Sequence, residues 1–264
     1  MTSTAKITAA TMLLLVLVLV AVVPTSINAR AELESVFGRE ETTAISTPVS
    51  GTALSQLRRL PVREAESMDG YDADATFGPR WSDAGTPGEV AGSRNGCDTR
   101  NDILRRDLRD AVIKPGSNGC VVLSGTLHEP YGGHRMLWQR GPDSATAQVD
   151  HVVAKGNAHI TGAQRLSVQQ RLDFANDPLN LITVDGGLNA SKNDNDAASW
   201  LPPRKAYRCT YVARQIAVKT RYHLWVTPPE RKAMERVLSS CPRQPRGDHG
   251  QSWKTPVVAS EGTR

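Results

Sequence analysis

Between Gln148 and Asp196 the chain gathers the side chains best suited to chemistry. Asp150 and His151 are adjacent, Asn180 follows, and Asn189 comes next with Lys192 and Asp194 just behind it. An ionised Asp is a hard oxygen donor of the kind a divalent cation takes. A neutral His, with an ordinary pKa near about 6.5, can accept a proton from water near neutral pH. Neighbours on a strand point to opposite faces. Asp150 and His151 therefore reach one site only where the strand twists or ends, and Val152, Val153 and a turn at Gly156 mark such an end. Asn180 closes the polar loop Asn176-Asp177-Pro178-Leu179-Asn180. A buried Asn must find hydrogen-bond partners; the backbone around His151 is one candidate and its own loop is the other. Asn189 follows Gly186-Gly187-Leu188, where its carbonyl oxygen could hold a metal or cap a helix. Lys192, three residues on, could share that face and meet a phosphate, or stay solvated.

The elements that must position these residues can be read from hydrophobic period and turn chemistry. Cys120–Leu127, Met136–Gln139 and Gln148–Val153 read as short strands. Thr99–Val112 carries Ile103, Leu104, Leu108 and Val112 at helical spacing, with Thr99 as the expected cap. Ser167 caps a second expected helix ending at Asn176, and Leu179–Val184 is a short apolar segment. A short helix is expected over Asn189–Ala198. Pro202-Pro203 precedes a long helix from Arg204 to about Tyr222, and Pro228 or Pro229 opens a last one ending near Leu238. Strands followed by helices indicate an α+β fold.

The chain has 264 residues and a formal charge of +5, a pI of about 9.2 and a mean hydropathy of −0.38. This balance allows a polyanionic partner without proving one. Residues 1–31 follow the secretory pattern: Lys6, an apolar run from Met12 to Val23, Pro24, and Ala29-Arg30-Ala31 at the expected cleavage site. The run is short for a membrane span; an uncleaved anchor at the cell surface is the alternative. Residues 32–70 are expected to be a mostly disordered linker, with a short helix over Leu54–Leu60. Residues 71–241 form the globular domain and 242–264 a disordered tail. In an exported chain, Cys97, Cys120, Cys209 and Cys241, with no C-x-x-C spacing, favour two disulfides over a zinc site. Three pairings are open. The sequence-local one is preferred, each bridge closing roughly 25 to 35 residues and contributing about 3 kcal/mol in the chain-entropy model.

Val149-Asp150-His151-Val152-Val153, then Asn180, then Asn189-Ala190-Ser191-Lys192-Asn193-Asp194 resembles the HNH (ββα-metal) endonuclease family. The likeness is greatest to secreted actinobacterial members related to the C-terminal domain of GmrSD restriction endonucleases. Gly96–Leu104, Phe174–Leu181 and Trp200-Leu201-Pro202-Pro203 support it, and it covers roughly Tyr71 to Cys241. The resemblance implies a ββα-metal core with additional helices. It implies that Asp150 and Asn189 hold one divalent ion, that His151 is the general base, and that Asn180 orients the loop carrying His151. The last His of the HNH signature is absent; Asn189 stands in its place. An amide oxygen favours Mg²⁺ or Mn²⁺ over Zn²⁺. His159 is a more distant candidate ligand, or a surface residue.

Positive charge for a substrate is expected from Lys192, Arg100, Arg204 and Arg208. Between Asp196 and Glu230 the chain has no acidic residue but contains Arg204, Lys205, Arg208, Arg214, Lys219 and Arg221, a basic helix suited to phosphate tracking or a solvated helix face. Arg100 could instead pair with Asp98 or Asp102. These features point to a secreted, monomeric, metal-dependent endonuclease of DNA, with RNA as a second substrate and little sequence specificity. The alternative is a catalytically silent HNH-like protein that binds nucleic acid or a surface.

Overall fold

The computed structural model describes residues 50–247. The expected export signal, most of the linker and the end of the tail lie outside the described residues. Among those described, no helix is long and apolar enough to cross a membrane.

Eight helices and five strands are described: α1 (Ala53–Leu57), α2 (Ala73–Phe77), α3 (Thr99–Asp107), β1 (Leu108–Ile113), β2 (Val122–His128), β3 (Arg135–Gln139), β4 (Ala147–His151), α4 (Lys155–Ile160), α5 (Val168–Asn176), β5 (Leu181–Asp185), α6 (Gly186–Lys192), α7 (Arg208–Arg221) and α8 (Pro228–Ser239). The fold is α+β, as expected. β1, β2 and β3 form one antiparallel sheet in that order, and β4 and β5 form a second. In the second sheet His151 stands opposite Leu181 and Asp150 opposite Ile182. With α6 following β5 directly, β4, β5 and α6 make a ββα unit. Helices α4 and α5 are inserted between its strands.

Local chemistry sets most boundaries. Ser167 and Gln170 form a capping box that starts α5, and Thr227 and Glu230 form another at α8, where Pro228 occupies the first turn. The first expected helix is shorter than its apolar period suggests. Asp98, not Thr99, caps it, accepting from the Asn101 amide. It stops at Asp107, because Leu108–Ile113 pairs with β2; sheet pairing overrides local helical spacing. The helix expected over Asn189–Ala198 is placed earlier as well. Asp185 caps it by accepting from the Leu188 amide, so Asn189 sits inside α6 rather than at its start. The long basic helix begins at Arg208, after a 3₁₀ turn at Lys205–Tyr207.

The short helix expected over Leu54–Leu60 is present as α1, packed on the core. Ala53 and Leu57 of α1 are fully buried, packed with Ile216, Met234 and Leu238. The Ala53 amide donates to the Gln244 carbonyl, and Thr52 bridges Pro245. Residues 52–60 and 244–245 therefore close over one end of the core. Both disulfides take the sequence-local pairing: Cys97–Cys120, with Cα atoms 5.2 Å apart, and Cys209–Cys241, at 6.5 Å. Both separations fall in the range a bridge requires.

Helix α7 runs through the core. Tyr211, Val212, Ile216 and Val218 are fully buried, and so are two of its cations. Lys219 Nζ pairs with Glu230 Oε2 at 2.8 Å and donates to the Trp225 carbonyl at 3.0 Å; both side chains of the pair are fully buried. Replacing Lys219 by Ala strands a buried carboxylate, so Lys219→Ala should lower stability by about 3–5 kcal/mol. Urea unfolding followed by circular dichroism checks this. A loss below about 1 kcal/mol would mean that the pair is not desolvated as described.

Candidate active site

A cleft of about 520 Å³ opens on one side of the ββα unit, lined among others by Trp81, Arg100, Gln148, His151, Lys155 and Asn189. His151 is the last residue of β4. Its ring lies between those of Trp81 and Phe174, nearly parallel to both, with centroids 6.0 and 6.5 Å away. Its Nε2 lies 2.9 Å from the Ala175 carbonyl. A carbonyl oxygen can only accept, so Nε2 carries the hydrogen and Nδ1 keeps its lone pair. Burial pushes the imidazole pKa down to about 3; the nearby Lys155 ammonium lowers it further, while the Ala175 hydrogen bond opposes the shift. At neutral pH the ring is a neutral, oriented proton acceptor.

Asn180 is fully buried immediately behind His151. Its Oδ1 accepts from the Val153 amide at 2.9 Å, its Nδ2 reaches the Val153 and Phe174 carbonyls, and its own carbonyl accepts from the Val152 amide at 2.7 Å. It clips the two residues after His151 to the start of β5. A second clip joins Asp194 Oδ1 to the Gly156 amide at 3.0 Å. Residue 156 must be glycine for this approach: a Cβ there would lie 2.5 Å from Asp194 Cγ.

Asp150 faces the other way. It is 5% exposed, with Oδ2 accepting from the Tyr131 hydroxyl at 2.6 Å and Oδ1 from Lys192 Nζ at 2.9 Å. Lys192 is itself fully buried and also donates to the His151 carbonyl at 2.8 Å. The structure thus gives Lys192 a different place from the expected phosphate contact. The spacing from Asn189 to Lys192 puts both on the α6 face that meets β4, and this face is interior at Lys192. Asn189 lies nearer the cleft. Its Nδ2 donates to Gln148 Oε1 at 2.8 Å, and its Oδ1 has no partner among the described residues.

Arg100 is brought to the cleft with His151 and Asn189. The competing ion pairs are absent among the described residues: Asp98 caps α3, and Asp102 pairs with Arg105 at 2.6 Å. Arg100 lies over the Trp138 ring instead, 5.6 Å from its centroid. Arg204 and Arg208 do not line this cleft. The Arg204 side chain lies against Gly133, and Arg208 Nε donates to the Pro202 carbonyl at 2.7 Å. The basic helix is likewise no phosphate track at Arg214, which is 1% exposed and donates to the Pro178, Leu179 and Leu181 carbonyls. His159 packs on Tyr71, ring centroids 4.9 Å apart, away from the cleft. Trp81, Arg80, Gln148 and Lys155 were missed by sequence reasoning. Only Lys155, four residues past His151 at a helix start, carried a local signal.

Among the described residues no group of three or more His, Cys, Asp or Glu side chains gathers as a metal site. The oxygen donors lining the cleft include the free Oδ1 of Asn189 and the Asp74 carboxylate, which pairs with Arg80; Asp150 is buried behind and is not among the lining residues. Each Asp150 oxygen accepts one side-chain hydrogen bond and retains capacity for another.

Residues 98–237 match the family model of the C-terminal domain of GmrSD restriction endonucleases. An uncharacterized secreted protein of Arthroderma benhamiae is 36% identical over 196 residues, which is 74% of this chain and 87% of the relative. No solved structure gives a significant match.

Two outcomes follow from this geometry. Asn180→Ala leaves the Val153 amide buried without its acceptor, at a cost of about 1–3 kcal/mol. Hydrogen exchange at the Val153 amide should accelerate accordingly, and unchanged exchange would contradict the clip. His151 binds protons more readily unfolded, near pH 6.5, than folded, near about 3. Stability should therefore fall as pH drops through that window. The fall should be steeper in wild type than in His151→Ala, as urea midpoints measured from pH 7 to 4 would reveal; parallel curves would refute it.

Proposed function

We propose that this chain, which belongs to the family of GmrSD restriction endonuclease C-terminal domains, is a secreted, divalent-metal-dependent endonuclease. Its substrate is DNA, with RNA second, and it cuts with little sequence specificity. The observation that carries this reading is the His151 ring, neutral and fixed through Nε2, in a cleft shared with Arg100, Lys155 and Asn189.

His151 Nδ1 takes a proton from a water molecule as the water oxygen attacks the phosphorus. The bond from phosphorus to the 3′-oxygen breaks, the leaving oxygen takes a proton from solvent, and the ends are a 5′-phosphate and a 3′-hydroxyl; His151 then returns its proton to solvent. The phosphate's negative charge beside the ring favours the protonated form, which raises the basicity that burial depresses. Arg100 and Lys155 offset the charge of the phosphodiester. Asn180 keeps the backbone after His151 from relaxing, so the ring stays aimed.

Asp150 and Asn189 would hold a Mg²⁺ or Mn²⁺ ion, with the Asp150 carboxylate shared between the ion and Lys192. The ion would supply positive charge for the phosphate and the leaving oxygen. Because Lys192 already balances the Asp150 carboxylate, the affinity for the ion should be modest. That same pairing favours a second reading, a catalytically silent protein that binds nucleic acid.

The disulfide-intact protein should nick supercoiled plasmid in Mg²⁺ or Mn²⁺ and not in EDTA. His151→Ala should be slower by about 10²- to 10⁴-fold with an unchanged circular dichroism spectrum. If His151→Ala cuts as fast as wild type, the assigned base is wrong; if no metal supports cleavage of either the plasmid or a single strand by the folded protein, the silent reading stands.

A further inference from the structure

One wall of the cleft comes from a segment that precedes the matched family region. It runs from Ala73 on α2 to Trp81 and places Arg80 and the Trp81 indole beside His151. Trp81 has φ +60°, an unusual conformation for a bulky residue, and its surroundings hold it there. The Thr99 amide donates to the Trp81 carbonyl at 3.2 Å, and the Thr99 hydroxyl donates to the Ser82 carbonyl at 2.8 Å. From the other side, Arg171 Nε donates to the Thr76 carbonyl at 2.7 Å. The wall is thus tied to both α3 and α5.

The wall places His151 at the side of a half-open cleft of about 520 Å³. A duplex keeps its bases stacked inside and offers no base face to the Trp81 indole. A single strand can turn one nucleotide inward. The lining has the composition such a strand requires: a half-buried indole, Trp81, and the cations Arg80, Arg100 and Lys155 for the backbone. Arg100 and Lys155 have no ion-pair partner among the described residues. Arg80 pairs with Asp74 at 3.0 Å on the exposed rim, where a phosphate could compete.

We infer that the cleft takes single-stranded nucleic acid, with Trp81 as the stacking platform for a base beside the scissile phosphate and Arg80, Arg100 and Lys155 as its backbone contacts. The inference rests on the phosphodiesterase reading for the identity of the ligand, and its test does not depend on cleavage. Full-length, disulfide-intact His151→Ala in EDTA would be titrated against a fluorescein-labelled twelve-nucleotide single strand and against the same sequence as a duplex, with anisotropy as the readout. The single strand should bind at least about tenfold tighter than the duplex. Adding Trp81→Ala should weaken single-strand binding by about tenfold and leave duplex binding unchanged, while Trp81→Phe restores most of the affinity. Thermal unfolding of each variant confirms that the wall is folded. Where Trp81→Ala fails that check, Arg100→Gln and Lys155→Gln replace it and should each lower single-strand affinity at low salt.

Equal or tighter duplex binding overturns the inference, and so does binding of neither strand form. It is also overturned by a folded Trp81→Ala that holds the single strand as well as its parent does. Plasmid nicking by wild type without any single-strand preference would defeat this inference alone. Single-strand preference with no cleavage under any metal would defeat the nuclease reading and leave a single-strand binding cleft.

Discussion

The buried pair between Lys192 and Asp150 is the contact on which the arrangement of the site depends. Strand alternation sends Asp150 inward and His151 toward the cleft, and the inward carboxylate must then be satisfied away from water. Lys192 reaches it from α6, Tyr131 reaches it from the loop between β2 and β3, and the Lys192 ammonium also takes the His151 carbonyl. One ion pair thus fixes the height and rotation of α6 against β4. It thereby sets where Asn189, one turn earlier, meets Gln148. Loss of either charge would leave the other unpaired in the interior, which costs far more than the pair itself contributes. The interaction specifies the geometry more than it stabilises the fold.

A similar economy governs the other basic residues. The turn from Asp177 to Leu181 brings carbonyl groups into the interior at the start of β5, where few backbone amides can reach them. Arg106 from α3 takes the Pro178 and Leu181 carbonyls, and Arg214 from α7 takes those of Pro178, Leu179 and Leu181. A guanidinium offers several donors in one plane, so two side chains satisfy a whole turn. That turn carries Asn180, and Asn180 clips the chain after His151. Arg214, one of the cations that look in the sequence like a nucleic-acid surface, therefore holds up the chain behind His151 instead. The positive charge facing the cleft comes instead from Arg80, Arg100 and Lys155, on three different elements.

Parts of this organisation were legible in the sequence because their causes are local. The boxes at Ser167 and Thr227, the stop at Pro202-Pro203, the apolar face of α7 and the strand at β4 depend on residues within a few positions of one another. Cysteine number and spacing led to the correct disulfides because the two sequence-local loops are also the two that the helices bring together. Local reading failed where a distant partner decided. Leu108–Val112 has helical spacing and forms a strand because β2 lies beside it.

The sequence by itself determined the family, the α+β class, the cysteine pairing it favoured, and the order Asp150, His151, Asn180, Asn189, because residue type and spacing suffice for these. Only the tertiary structure decided which of those side chains share a cleft. Asp150 and Lys192 are turned inward and paired, Arg204 and Arg208 are spent elsewhere, and Trp81 stands beside His151 across 70 residues of chain. The physical reason is that a side chain's role depends on which face it presents and on what desolvates it. Both are set by strand pairing and helix packing among residues far apart in sequence.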